Sequence, residues 1–167
     1  MKHGEKQIVV TLSLPVVAPL LDIVKFAADR MQGTTAAPAA LPDIDPEMKE
    51  AWTDELIAAQ NADVRALLAL FDDEFFSTGR ISFRAANAEP MIRACAAVRL
   101  HLRSGPLAVL GDDVLETGEI ALDRLEDPVR KAFMTYLFLA TIQELIIQHL
   151  DETILDRKST RLNSSHT

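Results

Sequence analysis

Apolar residues in this chain recur mostly with the period of an α-helix, but two short stretches alternate as in a β-strand. QIVVTLSL, residues 7–14, places Ile8, Val10, Leu12 and Leu14 on one face. This alternation predicts a strand on which Val9 is only partly covered. RISFR, residues 80–84, predicts a second short strand. Since a two-stranded sheet is unstable alone in water, the strands are predicted to pair and rest on helices.

The remaining apolar positions predict a set of amphipathic helices. Their predicted ranges are about 15–19 to 32, 46 to 60, 61–63 to 77, 87–89 to 103, and 128 to at least 150. Asp45–Pro46 and Asp127–Pro128 each place a capping residue before a proline, which favours a helix start. Residues 33–45 are predicted to be a loop, and 104–126 to be irregular with one or two helical turns.

The pattern therefore predicts a mainly α fold, a bundle of about five helices with a short two-stranded β element near 8–14 and 80–84. The last helix is apolar around much of its circumference, from Val129 to Leu150. Such a helix lies either at the centre of a bundle or in an interface.

The final twelve residues, DRKSTRLNSSHT, differ in kind from the rest. Asp156 to His166 match, without a mismatch, the first-frame translation of a common sequencing adapter. We therefore interpret 156–167 as an adapter-derived tail, the alternative being a natural disordered Ser/Arg segment. The predicted domain is then a single helical one over 7–155, and under this interpretation the natural C-terminus beyond Leu155 is unknown.

Charge narrows the classes of function. The chain has 17 basic and 25 acidic residues. Without three basic and one acidic residue of the tail, 14 and 24 remain, a net charge of −10. This acidity disfavours binding to nucleic acid and to anionic membranes, and it suits a basic protein partner.

Cysteine content and the N-terminal residues bear on location. The single cysteine, Cys95, excludes an internal disulfide and fits a reducing compartment. MKHGEKQ leads into an apolar run broken by Pro15 and Pro19, with no signal-peptide cleavage pattern. A cytoplasmic protein without a membrane span is expected.

Side chains suited to catalysis or metal binding are few. Glu144 and His149 are the best pair, but a five-residue separation turns them about 140° apart on a helix, so one metal ion cannot bind both. Patterns for di-iron, zinc and calcium sites, phosphate-binding loops and G-x-S-x-G are absent from the sequence. Asp112 and Asp113 after Gly111 are predicted to cap a helical turn, the alternative being calcium coordination. We predict no catalytic, cofactor-binding or metal-binding residue.

Arg99 and Arg103 form the candidate anion site, because residues four apart share one face of a helix. They can bind an anion, or they can pair with acidic residues of other elements, which the surplus negative charge favours. Cys95 on the same helix is predicted to be a buried small apolar residue.

The single tryptophan and one acidic cluster also lead to predictions. Trp52 is predicted to anchor the core or an interface. Asp72, Asp73 and Glu74 are predicted near a helix C-terminus, where the helix dipole disfavours negative charge. A solvated face is the favoured interpretation of this cluster, and a cation or basic partner is the alternative.

The order of these elements resembles the bacterial family catalogued as domain of unknown function 2017. The segments that carry the resemblance are IVVTLSL, ISFRAANAEP, IRACAAVRLHLR and TYLFLATIQELIIQHL, the last following Asp127–Pro128. VRLHLRSGP and the two early prolines depart from the family pattern. The resemblance implies no established activity and no functional residue. Family genes often lie near a Clp protease adaptor, which implies a link to protein quality control.

The leading hypothesis is a non-enzymatic interaction or regulatory domain that binds a protein partner or a second copy of itself. The alternative is a small enzyme or an anion-binding or ligand-binding protein built around Arg99 and Arg103. A DNA-binding regulator is disfavoured by the charge and by the lack of a basic recognition helix.

Overall fold

The fold is described by a computed structural model, which covers residues 7–34 and 45–150. In chain order the elements are β1 (Gln7–Thr11), α1 (Leu14–Met31), α2 (Pro46–Leu68), α3 (Asp73–Thr78), β2 (Arg80–Arg84), α4 (Ala88–Ser104), α5 (Asp112–Thr117) and α6 (Asp127–His149). Four long helices, two short ones and a two-stranded sheet confirm the predicted mainly α class. The adapter-like tail and most of the 33–45 loop lie outside the described residues.

The two strands pair antiparallel, with Ile8 opposite Phe83 and Val10 opposite Ile81. Ile81 and Phe83 are buried against the helices, while Val9 on the opposite face is exposed. The first strand ends at Thr11, three residues earlier than predicted. Just after the strand, the Leu12 amide donates a hydrogen bond to the Gly79 carbonyl at 2.7 Å. The chain then turns into α1.

Helix α1 begins at Leu14, so both early prolines lie inside it. Pro15 occupies the first turn, where its fixed φ fits the helix and its missing N–H has no helical acceptor to lose. Pro19 lies one turn further on. Buried residues from Val17 to Met31 then follow the predicted stripe.

Helix α6 lies at the centre of the bundle, since it packs against both α4 and α1. Its buried residues are Ala132, Phe133, Thr135, Tyr136, Leu139, Ile142 and Ile146. The Thr135 hydroxyl is satisfied within the helix by the Lys131 carbonyl at 2.7 Å. Each large apolar side chain buried here stabilises the fold by about 1.5–3 kcal/mol. The central position therefore accounts for the apolar circumference of α6.

The predicted interruption of the second helix at Asn61–Asp63 is wrong, because α2 runs unbroken from Pro46 to Leu68. Both polar residues have partners from other elements. Asn61 Nδ2 donates to the Gln32 carbonyl at 3.1 Å, and Asp63 accepts two bonds from Arg93. These contacts offset the modest helix propensity of Asn and Asp.

The actual interruption lies after Leu68, where sequence periodicity predicted a continuous helix to residue 77. Asp72 is the N-cap of α3, its carboxylate accepting from the Phe75 amide at 3.1 Å. Asp73 and Glu74 occupy the first turn. The acidic cluster therefore lies at a helix N-terminus, not at the predicted C-terminus, where the dipole favours negative charge. No bound cation is needed to account for it.

Gly79 joins α3 to β2 in a conformation that suits glycine. Its φ is 76°, and its amide donates to the Phe75 carbonyl at 2.7 Å. A Cβ at this position would lie 2.5 Å from the Leu12 carbonyl oxygen. The close approach lets β2 start directly beside the end of β1.

The first half of α2 extends beyond the packed core. Residues 46–59 include no buried side chain, whereas Val64 and Leu67 further along are buried. At 1.5 Å per residue this outer half is about 21 Å long. Gln60 marks the transition, since its side chain donates to the carbonyls of Met31 and Thr34 at the end of α1.

Candidate functional site

Arg99 lies on α4 where that helix packs against α6. Its guanidinium carbon is 4.4 Å from the centroid of the Tyr136 ring, and Nη1 donates to Gln143 Oε1 at 2.7 Å. Gln143 in turn donates from Nε2 to the Ile92 carbonyl at 3.1 Å. Two residues of α6 thus hold the guanidinium in place, one by stacking and one by a hydrogen bond.

Arg99 differs from the other half-buried arginines of the described residues in lacking a carboxylate partner. Arg103 contacts Asp112 at 2.8 Å, and Arg130 contacts Asp127 at 2.6 Å. No described carboxylate lies within 4.0 Å of the Arg99 guanidinium, and its buried Nε has no acceptor. Leaving a buried donor unpaired costs about 1–3 kcal/mol.

Arg103 lies one turn after Arg99 on the same face, but its charge is already compensated. The hydrogen bond that Arg103 donates to Asp112, together with that carboxylate's charge, raises the pKa of Arg103 above its ordinary value. The two arginines line one open cavity of about 240 Å³. Its lining residues are Ala96, Arg99, Leu100, Arg103 and Tyr136.

The structure thus brings the two sequence-predicted arginines to one cavity and separates their roles. Arg103 has the acidic partner that the charge surplus favoured, and Arg99 does not. Tyr136 and Gln143 were not predicted as site residues. They lie 37 and 44 positions after Arg99, so the local spacing that pairs Arg99 with Arg103 could not find them.

A second candidate site is the apolar row on the outer half of α2. Met48, Trp52 and Leu56 are spaced i, i+4, i+8 and are 62%, 45% and 36% exposed. The same row continues through Gln60 to buried Val64. Trp52 therefore does not anchor the core, which leaves the interface alternative as the prediction for this residue.

Charged residues border this apolar row on both sides. At 100° per residue, Glu47 and Glu55 lie on one side of it and Lys49 lies on the other. Glu50 and Asp54 lie on the opposite face of the helix. Over residues 46–59 four acidic residues and one basic residue give a net charge of −3. The exposed row is thus bordered by an acidic edge.

The other sequence candidates are accounted for by packing. Cys95 is fully buried, and desolvation raises the pKa of its thiol to about 12, outweighing the opposite effect of Arg99. The buried apolar interpretation of Cys95 is therefore the one that the structure supports. His101 is half-buried, and burial followed by the charge of Arg30 lowers its pKa.

Glu144 and His149 are both exposed on α6, and Glu144 accepts a bond from Gln148 at 2.8 Å. In residues 7–34 and 45–150 no three His, Cys, Asp or Glu side chains converge to hold a metal ion. A larger open groove of about 550 Å³ runs beside β2, but acidic and basic side chains both line it. This mixture points to no particular ligand charge.

Comparison with family models, with curated proteins and with solved structures found no match to this chain. The resemblance to domain of unknown function 2017 therefore stays a prediction. Among the described helices, none combines the length and apolar character needed to cross a bilayer.

Proposed function

We propose that the protein is a non-enzymatic interaction domain whose outer α2 binds a basic amphipathic segment of a partner protein. The observation that carries this proposal is the apolar row that leaves the core at Val64 and continues, uncovered, to Trp52 and Met48. Tryptophan is among the residues most enriched at the energetic centres of interfaces. A helix face of this kind suits an apolar partner surface with i, i+4 spacing.

Charge favours a basic partner over a second copy of this chain. The acidic edge of Glu47 and Glu55 would face itself if two α2 helices paired antiparallel across the row. Like charges in such an arrangement oppose association. A partner with Lys or Arg beside its apolar residues would instead face this edge with opposite charge.

The proposed context is protein quality control, and it rests only on the resemblance to domain of unknown function 2017. We propose no catalytic role for the domain. The location proposed for the protein is the cytoplasm.

Trp52 makes the proposal directly measurable, because it is the only tryptophan. The probe is a synthetic helical peptide with leucines at i, i+3, i+4 and i+7 and lysines elsewhere. Binding should move Trp52 emission to shorter wavelength in a saturable way, since the indole leaves water. A peptide with glutamate in place of every lysine should produce no such shift.

The double variant Met48→Ala/Leu56→Ala keeps the reporter and should bind the basic peptide roughly 5- to 30-fold more weakly. Phe26→Ala is the matched control, because Phe26 is an equally exposed apolar residue on α1 and should leave binding unchanged. Equal affinity of the double variant and the unmodified protein would contradict the proposal. A dimer that the double variant abolishes would also contradict it, by assigning the row to a second copy.

A further inference from the structure

We propose that the cavity between α4 and α6 binds a small monocarboxylate, with Arg99 as the residue that recognises its charge. The site is separate from the apolar row of α2 and does not depend on the function proposed for that row. Three observations carry the inference: the uncompensated charge of Arg99, its fixed position, and the character of the cavity beside it.

The uncompensated charge sets the kind of ligand. Arg99 is half-buried, and of its five N–H donors the described residues accept only one, at Gln143. The other half-buried arginines each contact a carboxylate. A carboxylate is the group that complements a guanidinium best in geometry and charge. A bound carboxylate would give Arg99 the kind of partner that Arg103 and Arg130 already have.

Because Arg99 is held in a fixed position, it loses little side-chain conformational entropy when a ligand binds. Tyr136 stacks against the guanidinium at 4.4 Å, and the Gln143 amide is itself held by the Ile92 carbonyl. An arginine held in this way loses less side-chain freedom on binding than a mobile surface arginine. Because Nε is buried, the donors that remain for a ligand are those on the two Nη atoms, and they are preorganised.

The cavity selects a small, singly charged and partly apolar molecule. Its volume of about 240 Å³ is below the range of about 300–1,000 Å³ typical of drug-sized ligands. Ala96, Leu100 and the Tyr136 ring supply an apolar lining. Arg103 is already neutralised by Asp112, so a single positive charge is left. A phosphate dianion would exceed that charge and would be repelled by Asp112.

The experiment is a nuclear magnetic resonance titration of the ¹⁵N-labelled protein at constant ionic strength. Its probes are butyrate, uncharged butyramide and inorganic phosphate. Butyrate should shift the Arg99 Nε–H and Tyr136 ring signals in a saturable way, with a Kd of about 1 mM or lower. Butyramide should give no shift, and phosphate should bind at least about 10-fold more weakly than butyrate, since its second charge meets Asp112.

Two variants test the assignment to Arg99. Arg99→Met should weaken butyrate binding about 10- to 100-fold, since it removes hydrogen bonds to a charged group. Arg93→Met on the same helix is the matched control, because Arg93 is exposed and paired with Asp63, and it should bind butyrate normally. Gln143→Glu places a carboxylate at the position that now accepts from Nη1, and this internal competitor should also weaken butyrate binding.

Butyrate binding that survives in Arg99→Met would overturn the proposal, and so would equal affinity for butyrate and phosphate. If Arg99→Met fails to fold, Gln143→Glu decides the matter. In that case unchanged butyrate affinity in folded Gln143→Glu overturns the assignment, and weakened affinity supports it.

Discussion

At the scale of single residues, the burial of a side chain was easier to predict from the sequence than its ion-pair partner. The inward spacing of Cys95 was enough to predict a buried thiol, because apolar periodicity on one helix determines which face meets the core. That Arg99 has no carboxylate partner among the described residues could not be predicted in this way. It depends on Asp112, 13 residues further along, contacting Arg103 and not Arg99. Pairing across loops is a tertiary property that local spacing does not contain.

His101 should give the protein a pH-dependent stability. Burial, followed by the charge of Arg30, lowers its native pKa below the ordinary value of 6.5. The unfolded chain therefore binds the proton more readily than the native one. This contribution to the free energy of unfolding is complete above about pH 6.5 and is lost as the pH falls through that value toward the native pKa.

Urea unfolding about one pH unit either side of 6.5 checks this prediction. The fall in unfolding free energy toward the acid side should be smaller in His101→Gln than in the unmodified protein. His149→Gln, at an exposed histidine of α6, should keep the full fall. An identical fall in both variants would show that other groups cause the pH dependence.

At the scale of elements, the strands and the proline-marked helix starts followed from sequence, and the helix interruptions did not. Asp45 caps α2 as predicted, its carboxylate accepting from the Glu47 amide at 3.3 Å. The break at Asp72 was missed because the apolar stripe continues through it from Leu68 to Phe75. The Asp72 side chain caps the start of a new helix here, although the apolar periodicity shows no break.

The turn at Gly79 should be the most sensitive glycine position among the described elements. In Gly79→Ala the alanine must adopt a left-handed backbone conformation, which destabilises the native state by about 1–2 kcal/mol. The added Cβ would also lie only 2.5 Å from the Leu12 carbonyl oxygen. Gly118→Ala is the matched control, since φ there is 69° and nothing lies within 4 Å of the added Cβ. Chemical denaturation should show Gly79→Ala to be clearly less stable than Gly118→Ala. Equal losses would mean that the β1–β2 connection shifts to accept the methyl group.

At the scale of the whole molecule, the structure has a well-packed body and a helical extension. The sequence predicted an amphipathic helix here and assigned Trp52 to either the core or an interface. Periodicity shows that a helix has an apolar face, and only the packing of the other elements shows how far along the helix that face is covered.

Amide hydrogen exchange should reveal this division. Amides of residues 50–57 in α2 should exchange much faster than those of 64–68, because local opening there exposes little apolar surface. Amides near Leu139 and Ile146 in α6 should be among the slowest, since both side chains are fully buried. Uniform protection along α2 would indicate that its outer half is held by contacts within the body.

The central place of α6 also has a consequence for biosynthesis. Helices α1 and α4 both bury apolar surface against α6, yet α6 is made after both of them. At about 5–20 residues per second, the 45 residues from Ser104 to His149 take about 2–9 s to translate. Until α6 is complete, the apolar faces of α1 and α4 lack the helix that covers them, and a nascent chain with such uncovered faces is the kind of substrate that chaperones engage.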